Sequence, residues 1–257
     1  MRLHVHEFGP SAGRTVVALH GVTGAATVYR RLAHRLPDFR LFAPDLRGHG
    51  ASPKDPPWDL SAHLRDIRET LDAAGIARAP VIGFSLGGRL AMELLASDRS
   101  RVERLVLLDP AIQMTPANVL ARTNELLEDI SWASPEEAIE KRISMAAAPY
   151  APREHWELWS EDLVTGADGR VRLPYSRAAA ITLYSELATP PPPPASLRIP
   201  TLLLVGAESA LVTDAQKERY KYELADYLET VSLRAKHNVI ADAADDVASA
   251  IRTFLAR

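Results

Sequence analysis

The sequence predicts an α/β fold: a mostly parallel sheet flanked by helices on both faces, interrupted once by a helical insertion. Three observations predict it. Short β-branched and leucine-rich runs alternate with longer segments of helical period, the pattern of a parallel sheet covered by helices. Most of those runs are apolar throughout, as strands buried on both faces are. The alternation fails once, between about residues 112 and 196, where strand signals vanish and the sequence turns helical, tryptophan-rich and proline-punctuated.

The elements follow in order. Met1 to Glu7 alternates like a strand and suits a sheet edge. Buried strands are predicted at 15–19, 41–43, 80–83, 105–108, 201–205 and 230–233, with helices near 26–36, 59–74, 87–97, 214–226 and 239–256. In the last helix Val239, Ile240, Val247, Ile251, Phe254 and Leu255 fall on one stripe, which reads as core. The insertion holds Trp132, Trp156 and Trp159, leaving only Trp58 outside. It ends in prolines at 190–194, which cannot be helical and serve better as a stiff extended spacer than as a ligand for a recognition domain. The expected organisation is a core of 1–111 and 197–257 with a helical cap at 112–196.

Composition narrows the function classes. A chain of 257 residues with 47% hydrophobic side chains can bury one large core. Its net charge of -3 comes from mixed charges without a basic run, so neither nucleic acid nor an anionic membrane is an expected partner. Lacking cysteine, it has no disulfides or thiolate metal sites, and no two histidines stand in H-E-x-x-H spacing; no metal or cofactor is expected. The N-terminus lacks the apolar core of a signal peptide, and nothing approaches the ~20 apolar residues of a membrane span. A cytoplasmic protein is the expectation.

Gly83-Phe84-Ser85-Leu86-Gly87 matches G-x-S-x-G, and its context matters more than its letters. It follows a buried strand and opens a helix, so Ser85 would sit on a tight strand-to-helix turn where side chains on the flanking glycines would collide with strand and helix. An ordinary glycine-rich turn is the plain alternative. A hydroxyl needs a base to become nucleophilic, most often histidine. Of eight histidines, His4 and His6 fall on the edge strand, His34 and His63 on helical surfaces, His155 in the insertion, and His20 and His49 in glycine-bearing turns. His237, between the last strand and the last helix at the carboxyl end of the sheet, is the candidate base. A surface or capping histidine is its plain alternative. The backbone N–H groups of Leu86 and of Val22, in His20-Gly21-Val22-Thr23-Gly24, are candidates for an oxyanion hole.

His20-Gly21, Pro44 to Ser52 (PDLRGHGAS), the serine elbow and the late His237 together resemble the α/β-hydrolase superfamily across nearly the whole chain apart from the insertion. The resemblance implies that 45–52 is a structural turn buttressing the site, and that nucleophile, acid and histidine follow in that order. Many relatives place the acid three residues beyond the glycine after the later strand, but here Gly206 is followed by Ala207, Glu208 and Ser209. Branches such as haloalkane dehalogenases, whose loop resembles residues 207–211, have moved the acid to the earlier strand. The favoured acid is therefore Asp109; Glu208 is the main alternative and Asp214 a lesser one.

The implied activity is cleavage of a carboxylic ester or ester-like acyl bond in a small, apolar substrate through an acyl-serine. Lactone, amide or carbon–carbon cleavage by the same fold, or a small-molecule receptor derived from it, are the alternatives. Trp132, Tyr150, Trp156, Trp159, Tyr175 and Tyr184 are candidates for an apolar pocket wall, or equally for the insertion's own core.

Overall fold

A computed structural model describes residues 1–257. Nine strands run along the chain: β1 (Val5–Phe8), β2 (Arg14–Leu19), β3 (Phe39–Pro44), β4 (Ala79–Phe84), β5 (Val102–Leu108), β6 (Val164–Thr165), β7 (Val171–Arg172), β8 (Thr201–Gly206) and β9 (Leu228–Leu233). Seven form one sheet in the order β1-β3-β2-β4-β5-β8-β9, in which only β1 is antiparallel. The helices are α1 (Arg30–Ala33), α2 (Leu60–Ala73), α3 (Leu86–Ser97), α4 (Pro116–Glu125), α5 (Pro135–Ser144), α6 (Arg153–Ser160), α7 (Arg177–Glu186), α8 (Asp214–Leu224), α9 (Val239–Asp242) and α10 (Ala244–Leu255).

Successive strand residues point to opposite faces, and here both faces are apolar. Leu105, Leu107, Leu203 and Val205 pack under α2, α3 and α8, whereas Val106, Leu108, Leu202 and Leu204 pack with α1, α9 and α10. Two core clusters therefore sandwich the sheet, which explains the unbroken apolar runs. No helix is long and apolar enough to cross a membrane.

Three expectations need amendment. The 26–36 helix is a 3-10 turn at Ala26–Tyr29 followed by the single turn α1. The 239–256 helix breaks at Ala243 (φ -134°, ψ 44°). Asn238 caps α9, and the carboxylate of its last residue, Asp242, accepts from Tyr150 N–H (2.8 Å) and Lys236 N–H (2.9 Å). The segment between β5 and β8 is not free of strands, since β6 and β7 pair across the Gly166 to Gly169 turn. Two residues each are too short to leave an alternating pattern.

That segment otherwise consists of α4 to α7, with side-chain N-caps from Thr115, Ser134 and Ser176 on α4, α5 and α7. Its two ends meet on one buried side chain. Arg89 of α3, 1% exposed, donates to Ile112 O (2.9 Å) where the segment leaves the sheet and to Thr189 O (3.1 Å) and Pro190 O (2.8 Å) where it returns. The proline run stays extended at Pro193 and bends into a 3-10 turn at Pro194–Leu197.

Candidate active site

Ser85 stands between β4 and α3 with φ 54° and ψ -116°, a conformation that side chains adopt rarely. Close packing of three backbone segments forces the turn. A Cβ on Gly83 would lie 2.3 Å from Gly87 O, and one on Gly87 would lie 1.9 Å from Leu19 O. Any side chain at either position would push α3 off the sheet.

His237 follows β9, and Asp109 follows β5 directly; the parallel order β4-β5-β8-β9 brings both to the end of the sheet that carries Ser85. His237 Nε2 lies 3.1 Å from Ser85 Oγ, and His237 Nδ1 lies 2.7 Å from Asp109 Oδ2. With Nδ1–H donating to the carboxylate, the Nε2 lone pair is left to accept the serine O–H. The imidazole stacks on Phe84, ring centroids 5.1 Å apart. Asp109 is fully buried, with φ 39°. Its carboxylate also accepts from Gly206 N–H (3.2 Å) and Ser209 Oγ–H (2.6 Å).

The other two carboxylates lie elsewhere. Glu208 is exposed and accepts from Tyr150 Oη–H, and Asp214 begins α8 paired with Lys217. Ser209 carries a role that sequence did not single out. It occupies the position where many relatives hold the acid, and it donates to the carboxylate that reaches the histidine instead.

The His20 to Gly24 turn lies beside the serine, since a Cβ on Gly21 would come within 3.3 Å of Ser85 Cβ. His20 Nδ1–H donates to Gly21 O (2.8 Å), and its Nε2 accepts from Leu46 N–H (2.9 Å). That pairing requires a neutral ring, and burial lowers the His20 pKa to about 4. Val22 O faces His49 Nε2, while Val22 N–H donates to no group of the chain. Leu86, first residue of α3, has an N–H without a helical partner. Both are thus open to an external acceptor.

Residues 45–52 brace this turn. Against the upward push of burial, the Asp45 carboxylate is held well below the usual carboxylate range by the bond from His6 and by those it accepts from Ala26 N–H (2.8 Å) and Ala51 N–H (2.9 Å). His4, His6 and Asp45 place ligand-type atoms within 4.8 Å of one another, but Asp45 is already engaged by those donors and none of the three lines the cavity around Ser85. His63, expected on a helix surface, is fully buried, its ring nitrogens facing Asp59 O and Arg47 O because this loop lies over α2.

Ser85 and His237 open into a cavity of about 800 Å³ lined by both the sheet end and the 112–196 segment. Of the six aromatic candidates, Trp156, Trp159 and Tyr184 line it, whereas Trp132, Tyr150 and Tyr175 do not. Trp156 also packs with Ile139 and Ala148, so wall and local core are partly the same side chains.

Comparison with known proteins bears on the family and the fold. Residues 14–137 match the family model described as alpha/beta hydrolase fold. Lipase LipV of Mycobacterium tuberculosis is 33% identical over 98% of this chain and 97% of its own length. Esterase YbfF of Escherichia coli is 38% identical over 37% of this chain and 38% of its own. Among solved structures, E-2-(acetamidomethylene)succinate hydrolase superposes with a TM-score of 0.86 at 24% identity, covering 99% of this chain and 95% of that one, a likeness of fold.

Proposed function

Because the chain belongs to the α/β-hydrolase family and is a hydrolase of that fold, we propose that it cleaves carboxylic esters through an acyl-serine, with Ser85 as nucleophile. The contact chain Ser85 Oγ to His237 Nε2 to Asp109 carries this reading. The relatives named lipase and esterase support the bond type.

In the proposed reaction Ser85 Oγ attacks the ester carbonyl carbon while His237 Nε2 takes its proton, and Asp109 stabilises the imidazolium and holds its tautomer. The carbonyl oxygen becomes an oxyanion facing the N–H groups of Val22 and Leu86, where the N-terminal dipole of α3 adds positive potential. Collapse of the tetrahedral intermediate expels the alcohol, which leaves with the proton from His237. Water, deprotonated by the same imidazole, then attacks the acyl-serine and releases the carboxylic acid. Residues 112–196 act as a cap that shapes the pocket, a role supported by Trp159 and Tyr184 lining the serine's cavity.

The test is hydrolysis of p-nitrophenyl butyrate by wild type and Ser85→Ala, with circular dichroism as a check of folding. The expected result is turnover by wild type and loss of about 10³-fold or more in the folded variant. Retained turnover would sink the proposal.

A further inference from the structure

Five cationic side chains and three acidic ones line the cavity that holds Ser85, in a chain whose net charge is -3. Most of these charges are accounted for. Arg30 pairs with Glu161 (2.8 Å) and Asp162 (3.6 Å), Arg122 pairs with Glu125 (3.0 Å), and Lys236 Nζ donates to Ala146 O (3.3 Å). Glu208 accepts from Tyr150.

Arg31 of α1 and Arg142 of α5 are different. Arg31 Nη1 and Arg142 Nε are buried without a hydrogen-bond partner, and neither guanidinium has a carboxylate within salt-bridge range. Desolvation pushes both below the usual arginine range, yet a guanidinium stays charged near neutral pH. Arg31 keeps the Coulombic pull of Asp245 and Glu154, whereas no carboxylate acts on the more deeply buried Arg142, which therefore gains from a counter-charge brought to it. Arg142 is held over Trp159, 5.2 Å from the ring centroid, and 6.0 Å from that of Trp132. That contact uses the charge and leaves the N–H fork unspent.

We infer that Arg142 forms an oxyanion-binding subsite in this cavity, so that the ester cleaved at Ser85 carries a second, anionic group: a carboxylate or a phosphate. The inference rests on the serine-hydrolase reading. The guanidinium fork matches either group in bidentate fashion, while Trp156, Trp159 and Tyr184 face the apolar part of the substrate.

Two esters with the same six-carbon acyl chain test it: p-nitrophenyl hexanoate, and the mono-p-nitrophenyl ester of adipic acid. Wild type is expected to favour the anionic ester in kcat/KM. In Arg142→Gln the anionic-to-neutral ratio falls by about 10- to 100-fold, mainly through KM, and Arg142→Lys recovers part of it. A ratio unchanged in Arg142→Gln would overturn the subsite while leaving a Ser85-dependent esterase in place. Adipate and hexyl phosphate, as competitive inhibitors, separate the two anion sources: whichever competes in wild type and weakens in Arg142→Gln names the group, and competition by neither overturns the proposal. Should neither ester be hydrolysed, calorimetric titration with adipate decides separately. Binding lost in Arg142→Gln would keep the subsite and discard the esterase reading; no binding to wild type would discard both.

Discussion

Replacing Asp109 by asparagine keeps the shape of the buried site and reverses two hydrogen bonds, those from His237 and Ser209. Gly206 N–H lies 3.2 Å from Oδ1 and would hold the amide oxygen on its side. The amide NH₂ must then occupy the Oδ2 position, 2.7 Å from His237 Nδ1 and 2.6 Å from Ser209 Oγ. An N–H donor there forces Nδ1 to accept, so the proton moves to Nε2, where it blocks uptake of the serine proton. Loss of the correct tautomer costs about 10³- to 10⁴-fold in kcat, roughly 4–5.5 kcal/mol of transition-state stabilisation. Glu208→Gln leaves the contact with His237 untouched and should cost less than about tenfold. Steady-state kinetics on p-nitrophenyl butyrate, run side by side at one pH, gives both numbers. A larger loss in Glu208→Gln than in Asp109→Asn would refute the assignment of the acid.

Other perturbations have equally definite outcomes. Arg89→Met removes the donor shared by Ile112, Thr189 and Pro190 and strands their carbonyls; the expected loss is about 3–5 kcal/mol, or roughly 6–20 °C in Tm. A loss under about 1 kcal/mol in urea unfolding would contradict that clamp. Ser209→Ala deprives Asp109 of one donor but spares the other two contacts, so kcat should fall about 5- to 50-fold, and wild-type activity would contradict a positioning role. Burial lowers His20 and His155 to about 4. The unfolded chain therefore binds more protons than the folded one between about pH 6.5 and pH 4, and stability falls as pH falls by about 1–3 kcal/mol per unit. A urea midpoint equal at pH 7 and pH 5 would contradict this.

Much of the fold was legible because β5 and β8 are apolar on both faces, which leaves them one kind of place, the centre of a covered parallel sheet. Ser85 and His237 were legible for a related reason: each sits where chain order and sheet polarity deliver loops to the same end. Asp109 was harder, since a carboxylate after β5 and another after β8 differ only in which side chain reaches the imidazole, and packing decides that. Next to the break at Ala243, the Asp242 carboxylate accepts from Tyr150 and Lys236 N–H, contacts that no local pattern encodes. His63 is buried by residues 45–52 lying over α2, and Arg89 takes partners as many as 101 positions away. Long-range polar contacts of that kind leave no periodic trace in a sequence.

Reaction with a fluorophosphonate, followed by mass spectrometry of the digested protein, tests the central claim most directly. The account predicts a single phosphonylated peptide modified at Ser85, with a rate reduced about 10²-fold or more in His237→Ala. Modification at another residue, or equal rates with and without the imidazole, would contradict it.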